Sequence, residues 1–188
     1  MAEQSPIDIP AATRIYPDDL QFHYGPSRVT IKDDGYALRA DPSGEDRLVM
    51  AGRTYRLVQF HLHCPAEHTF AGKVSAMELH LVHADEAGGL AVAGVMLEKG
   101  AHDPTLEALL SGTEAQLDPA GLLPTDRAYV AYRGSLTTPP YAEGVDWRVL
   151  VHPIHLSPEQ LARFQAIHDG NAKPVQALDR RDPLIARR

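Results

Sequence analysis

A single cysteine, Cys64, in a chain of 188 residues excludes an internal disulfide, so stability rests on a packed core and on any bound metal. The same scarcity suits a reducing compartment. Long apolar runs are missing too. The longest, around residues 89–97, falls far short of the roughly 20 residues a membrane-crossing helix needs. The opening MAEQSPIDIP has no basic stretch followed by an apolar run, so no signal peptide is expected and cytoplasm is the literal reading. An exported protein trimmed of its leader is expected to look the same. Lysine and arginine are outnumbered, giving a net charge of −7, which argues against a phosphate-binding surface. No nucleic-acid partner and no membrane partner is expected.

What the chain does have is a globular composition, with 44% hydrophobic and 23% charged residues, and short elements separated by Pro, Gly and Asp breaks. These breaks fall at residues 17–19, 33–35, 41–44, 85–89, 100–104 and 118–124. Between them, residues 28–32, 36–40, 54–64, 75–83, 90–97, 128–134 and 145–153 are rich in Val, Leu, Tyr and Phe and read as strands. Helical spacing occurs at 105–110 and 158–167, the second with Ser157 as cap and Pro158 in the first turn. One mainly β domain of α+β type over residues 1–188 is expected, with a few short peripheral helices. The stretch 169–188 has little periodicity and is expected to lie as an ordered tail.

The sequence holds ten histidines, and their spacing separates them. In QFHLH, strand parity puts Gln59, His61 and His63 on one face and Phe60 and Leu62 on the other. In MELHLVH, Glu78, His80 and Val82 share a face, opposite Leu79, Leu81 and His83. If those strands are neighbours, three imidazoles converge, the donor set of a catalytic zinc with an open fourth position. A ligating histidine needs an acceptor for its second ring nitrogen, and Gln59 and Glu78 each stand two residues before a candidate ligand. An HxH pair on a polar strand is common without metal; His80 and the two polar neighbours tip the reading. His23, His68, His83, His102, His152, His155 and His168 lack such support and read as surface or hydrogen-bonded structural residues. Cys64 reads as a small buried thiol.

Five stretches occur in order: QSPIDI (4–9), QFHLHCPAEHTFAGK (59–73), MELHLVHADEAGGLAVAGV (77–95), YRGSLTTPPYAEGVDW (132–147) and NAKPVQAL (171–178). Together they resemble the α-class carbonic anhydrases, over nearly the whole chain. The resemblance implies a large twisted, mostly antiparallel sheet with Zn2+ on central strands, held by His61, His63 and His80. It implies reversible hydration of carbon dioxide to bicarbonate with zinc-bound hydroxide as nucleophile. Thr137 would accept a hydrogen bond from that hydroxide while donating to Glu67, and Thr138 would contact the departing anion. Val82, Val92, Leu136, Val145 and Trp147 would form the apolar wall for carbon dioxide, with core packing the competing role, weighed about evenly for Val92, Val145 and Trp147 and behind the wall role for Val82 and Leu136. The carbonyl of Asn171 would take the proton of His63.

The sequence also departs from the pattern. Where efficient relatives carry a shuttle histidine after an Asn-Asn-Gly-like turn, this chain reads Asp33, Asp34, Gly35, Tyr36. Tyrosine, with a free pKa near 10, is a poor shuttle at neutral pH, so proton export is expected to limit turnover. Tyr141 stands where many bacterial relatives place a disulfide cysteine. The chain begins almost at QSPIDI, without the aromatic-rich segment typical of the family, and either a monomer or a homodimer is expected. Two other functions compete: a non-catalytic binding module of the same fold, against which all three histidines, Glu67 and Thr137 argue, and a zinc esterase. Weak esterase activity is expected only on the side.

Overall fold

The computed structural model of the chain describes residues 2–11, 14–15, 20–110 and 112–186, without the side chains of 14 and 15. The break expected at 17–19 lies outside these residues. The first strands are β1 (Asp8–Ile9), β2 (Arg14–Ile15), β3 (Gln21–His23), β4 (Ser27–Asp33), β5 (Leu38–Pro42) and β6 (Arg47–Met50). Then come the long β7 (Arg53–His63), the short β8 (Thr69–Phe70) and β9 (Lys73–Val74), and the pair β10 (Met77–Ala84) and β11 (Leu90–Lys99). Helix α1 (Pro104–Leu110), β12 (Glu114–Leu117) and a 3-10 turn lead to β13 (Tyr129–Ser135), β14 (Glu143–Leu156), α2 (Pro158–Ile167) and β15 (Leu184–Ala186).

Most strands join one large sheet in the order β12-β4-β5-β7-β10-β11-β14-β13-β15-β2, with β6 also against β7 and β3 against β6. Its centre, β7–β10–β11, is antiparallel, whereas β11–β14 and β15–β2 run parallel. The fold is thus mainly β, as the composition of its segments suggests. Strand β7 alternates exposed and buried residues at its start and becomes buried on both sides at its end, and β10 and β11 are buried on both sides nearly throughout. A strand covered on both faces reads as a continuous apolar run, and a polar residue within it must find a partner inside.

Parity sorts these strands into two layers. Phe60, Leu62, Leu79, Leu81, Ala93, Val95 and Leu97 face a large apolar cluster that includes Leu106 and Leu109 of α1 and Leu161 and Phe164 of α2. The opposite face carries Val82, Val92, Trp147 and Val149, packed with Ile7 and Ile9. Helix α2 begins as expected, with Ser157 and Gln160 forming a reciprocal capping box around Pro158. The tail is ordered as far as described: Gln176 bridges to Ile7, and β15 pairs with β13. Residues 187 and 188 lie outside the described residues.

Candidate metal centre

Pairing of β7 with β10 sets His61 opposite His80 and His63 opposite Glu78, so both polar faces become one. The rings of His61, His63 and His80 lie with centroids 4.6–5.3 Å apart, and one nitrogen from each falls within 4.8 Å of the others.

Their tautomers follow from their partners. His61 Nδ1 meets the Gln59 amide oxygen at 2.8 Å, His63 Nδ1 meets the Asn171 carbonyl at 3.3 Å, and His80 Nε2 meets Glu78 Oε1 at 2.9 Å. Each partner atom can only accept, so each of these nitrogens carries the hydrogen. The lone pairs are then on His61 Nε2, His63 Nε2 and His80 Nδ1. Two of these, His61 Nε2 and His63 Nε2, are buried with no protein partner. Buried unpaired acceptors are costly, and a cation bound among them relieves that cost.

Burial, followed by the neighbouring imidazoles, lowers His61 well below its usual pKa, and the same causes bring His63 to about 3. Both stay neutral, the form that ligates metal. Burial pushes His80 the same way, but the Glu78 carboxylate overrides it and raises that pKa. The residues therefore fit a small cation that takes three imidazoles, the set that suits zinc.

Glu78 is itself held by four donors. Its Oε1 takes His80 Nε2 and His68 Nδ1, the latter at 2.7 Å, and its Oε2 takes the backbone N–H groups of Glu67 and His68 at 2.9 and 2.8 Å. Burial alone would raise its pKa, but His68 and His80 hold it well below the carboxylate range. His68 continues the network. Its Nε2, having given Nδ1–H to Glu78, accepts from the Tyr132 hydroxyl at 2.6 Å, and that oxygen lies 2.8 Å from Ser5 Oγ. His68, Glu78 and His80 thus also crowd together, but both nitrogens of His68 are committed, so this group is a hydrogen-bond network and not a donor set. No local pattern points to it, since Ser5 and Tyr132 are far from His68 along the chain.

The five motifs meet here. Parallel pairing of β1 with β8 lays QSPIDI beside the turn that carries Glu67 and His68. Asn171 accepts from Cys64 N through Oδ1 and donates to the carbonyls of Leu62 and Tyr36, which clamps the end of β7. Lys173 N donates to Glu67 Oε1 at 2.7 Å. Burial raises the Glu67 pKa, against which His80, the Thr137 hydroxyl and the Lys173 N–H act. The second oxygen, Oε2, is buried without a partner at hydrogen-bonding geometry, so Thr137 acts on the carboxylate from nearby without a formed bond to that atom. Thr137 itself is held on a tight return, where Leu136 N donates to Ala142 O, Tyr141 N to Thr138 O, and Trp147 Nε1 to Ser135 O.

A cavity of about 220 Å3 opens on this centre, lined by Gln59, His61, His80, Val82, Val92, Leu136, Thr137, Thr138 and Trp147. Of the expected wall, Val145 alone is off the lining; it is buried in the apolar cluster with Trp147. Arg39, Val58 and Leu90 complete the lining, and none of them was expected. Tyr36 is 57% exposed, on the turn before β5, and does not line the cavity. A larger open groove of about 830 Å3, beside Arg53, Arg56, Asp85 and Glu86, contains none of the three histidines.

Residues 1–182 match the family described as eukaryotic-type carbonic anhydrase. A carbonic anhydrase of Klebsiella pneumoniae is 40% identical over 95% of this chain and 78% of its own length. Among solved structures, the α-carbonic anhydrase of Photobacterium profundum has a TM-score of 0.92 at 37% identity, covering 98% of this chain and 89% of that one. The α-carbonic anhydrase of Thermovibrio ammonificans, solved with the inhibitor sulfanilamide, has a TM-score of 0.91 at 36% identity, covering 98% and 87%.

Proposed function

The chain belongs to the eukaryotic-type carbonic anhydrase family of enzymes, and from that membership we propose that it hydrates carbon dioxide reversibly to bicarbonate and a proton at a zinc ion held by His61, His63 and His80. The observation that carries this reading is the pair of buried, unpartnered Nε2 atoms on His61 and His63, beside a third imidazole whose Nε2 is taken by Glu78. A zinc ion bound there supplies the nucleophile, by lowering the pKa of a coordinated water to about 7.

This chain's residues do the rest. Gln59, Glu78 and the Asn171 carbonyl fix which nitrogen of each ring faces the metal. Glu67, acceptor-only when ionised, would accept a hydrogen bond from the Thr137 hydroxyl, leaving the Thr137 oxygen to accept from the attacking O–H group. That orients a lone pair of the nucleophile toward carbon. Val82, Val92, Leu136 and Trp147 present apolar surface to a small apolar substrate, and Thr138 stands at the edge for the anion that leaves. Val145 lies in the same buried apolar cluster as Trp147. One domain spanning the whole chain carries this chemistry. Ester hydrolysis by the same nucleophile is a minor side activity, because the cavity holds no acid placed for a leaving group.

Stopped-flow carbon dioxide hydration on protein of measured zinc content tests the proposal. The expected result is turnover proportional to bound zinc and abolished by a chelator. Fully zinc-loaded protein that does not hydrate carbon dioxide would overturn it.

A further inference from the structure

Arg39 is the one lysine or arginine among the residues lining the metal cavity. Its place follows from strand register. Residues directly opposite in an antiparallel ladder project from the same face, and β5 sets Arg39 opposite His61. Asp41, two residues on and therefore on that face, accepts from Arg39 Nε at 2.7 Å. Lys32, opposite Arg39 in the next strand, reaches the other Asp41 oxygen at 2.6 Å. One carboxylate thus holds Arg39 by its Nε edge and is itself held from a neighbouring strand. The two Nη groups have no hydrogen-bond or ion-pair partner among the described residues. The side chain is only 32% exposed. The remaining lining is apolar or neutral apart from the histidines.

We propose that Arg39 forms a subsite for a planar oxyanion at the polar side of the cavity, and that bicarbonate is what it takes. The inference rests on the function proposed above, in which a neutral substrate becomes an anion within the cavity. A guanidinium presents parallel N–H donors that match a carboxylate-like edge, whereas carbon dioxide carries no charge to attract. Arg39 therefore acts on the anionic side of the reaction. It receives bicarbonate on entry for dehydration, retains it on exit after hydration, and admits other small anions as inhibitors. Tethering by Asp41 reduces the side-chain freedom lost on binding.

Zinc-loaded wild type, Arg39→Gln and Arg39→Lys are compared at low ionic strength, with zinc content measured for each. Inhibition constants for bicarbonate, nitrate and chloride are read from carbon dioxide hydration. Chloride-35 linewidth supplies a measure of anion binding that needs no catalysis. Arg39→Gln should weaken all three anions by roughly threefold or more, a larger change than in kcat/KM for carbon dioxide. Arg39→Lys, which keeps the charge and loses the fork, should restore chloride but not nitrate or bicarbonate. Unchanged constants in Arg39→Gln would overturn the subsite. Nitrate and bicarbonate bound by Arg39→Lys as tightly as by wild type would overturn the forked contact. Absence of hydration in wild type would fault the underlying function, and the linewidths of the three proteins would still decide whether Arg39 holds an anion.

Discussion

Each of the three imidazoles is held by an atom that can only accept, and this makes the nitrogen left with a lone pair, the one proposed to face the metal, a property of the fold. The same logic extends to Thr137, whose hydroxyl acts on the buried carboxylate of Glu67. Replacing Thr137 by Ala removes the group proposed to orient the nucleophile. We expect kcat/KM for carbon dioxide to fall by about 100-fold, the scale for loss of one positioned polar group, with zinc content unchanged; a loss below tenfold would remove Thr137 from the mechanism. The turn before β5 offers a poorer group for proton export. Tyr36 is exposed and off the cavity lining. Turnover should therefore rise with the concentration of a small buffer such as imidazole. A high kcat independent of buffer would show that another internal route carries the proton.

At the scale of elements, the site depends on three neighbouring strands and on one missing side chain. Gly94 of β11 stands opposite His80, and a Cβ there would lie 2.9 Å from Glu78 Oε1. Gly94→Ala must displace the carboxylate that orients His80. Zinc transfer to a chelator should quicken by roughly 10–100-fold, the usual cost of losing such a support, while the far-ultraviolet circular dichroism stays unchanged. Wild-type release rates in this variant would contradict the role given to Glu78. Parity is a local property, which is why the shared faces of Gln59, His61 and His63, and of Glu78, His80 and Val82, could be read from spacing alone. Adjacency is not local. Nothing in LRADP says that Arg39 lies opposite His61, and nothing near His68 says that Tyr132 and Ser5 complete its hydrogen bonds. The strands at Arg47–Met50 and Glu114–Leu117 also escaped notice, because four residues are too few to establish a period. Strand β14 runs past its expected end at Pro153 to Leu156, alongside β11.

At the scale of the whole molecule, burying both faces of the central sheet leaves histidines in surroundings that disfavour charge. His83 shows this away from the metal centre: its Nδ1–H donates to the Ala91 carbonyl, the Tyr24 hydroxyl donates to its Nε2, and burial brings its pKa down to about 4. The unfolded chain, with a free value near 6.5, binds this proton more readily between those two pH values. Stability from neutral His83 is therefore complete above about 6.5 and is lost as pH falls toward 4, by about 3 kcal/mol in all. In urea titrations, the stability gap between wild type and His83→Gln should narrow by about that amount between pH 7 and pH 4; a constant gap would contradict a neutral buried His83. The proposed zinc site lies on the other face of the sheet. It is tested most directly by an anomalous difference map at the zinc edge from crystals of the zinc-loaded protein. One peak is expected within bonding distance of His61 Nε2, His63 Nε2 and His80 Nδ1. A peak among His68, Glu78 and His80, or ligation through the opposite nitrogen of any of the three rings, would contradict it.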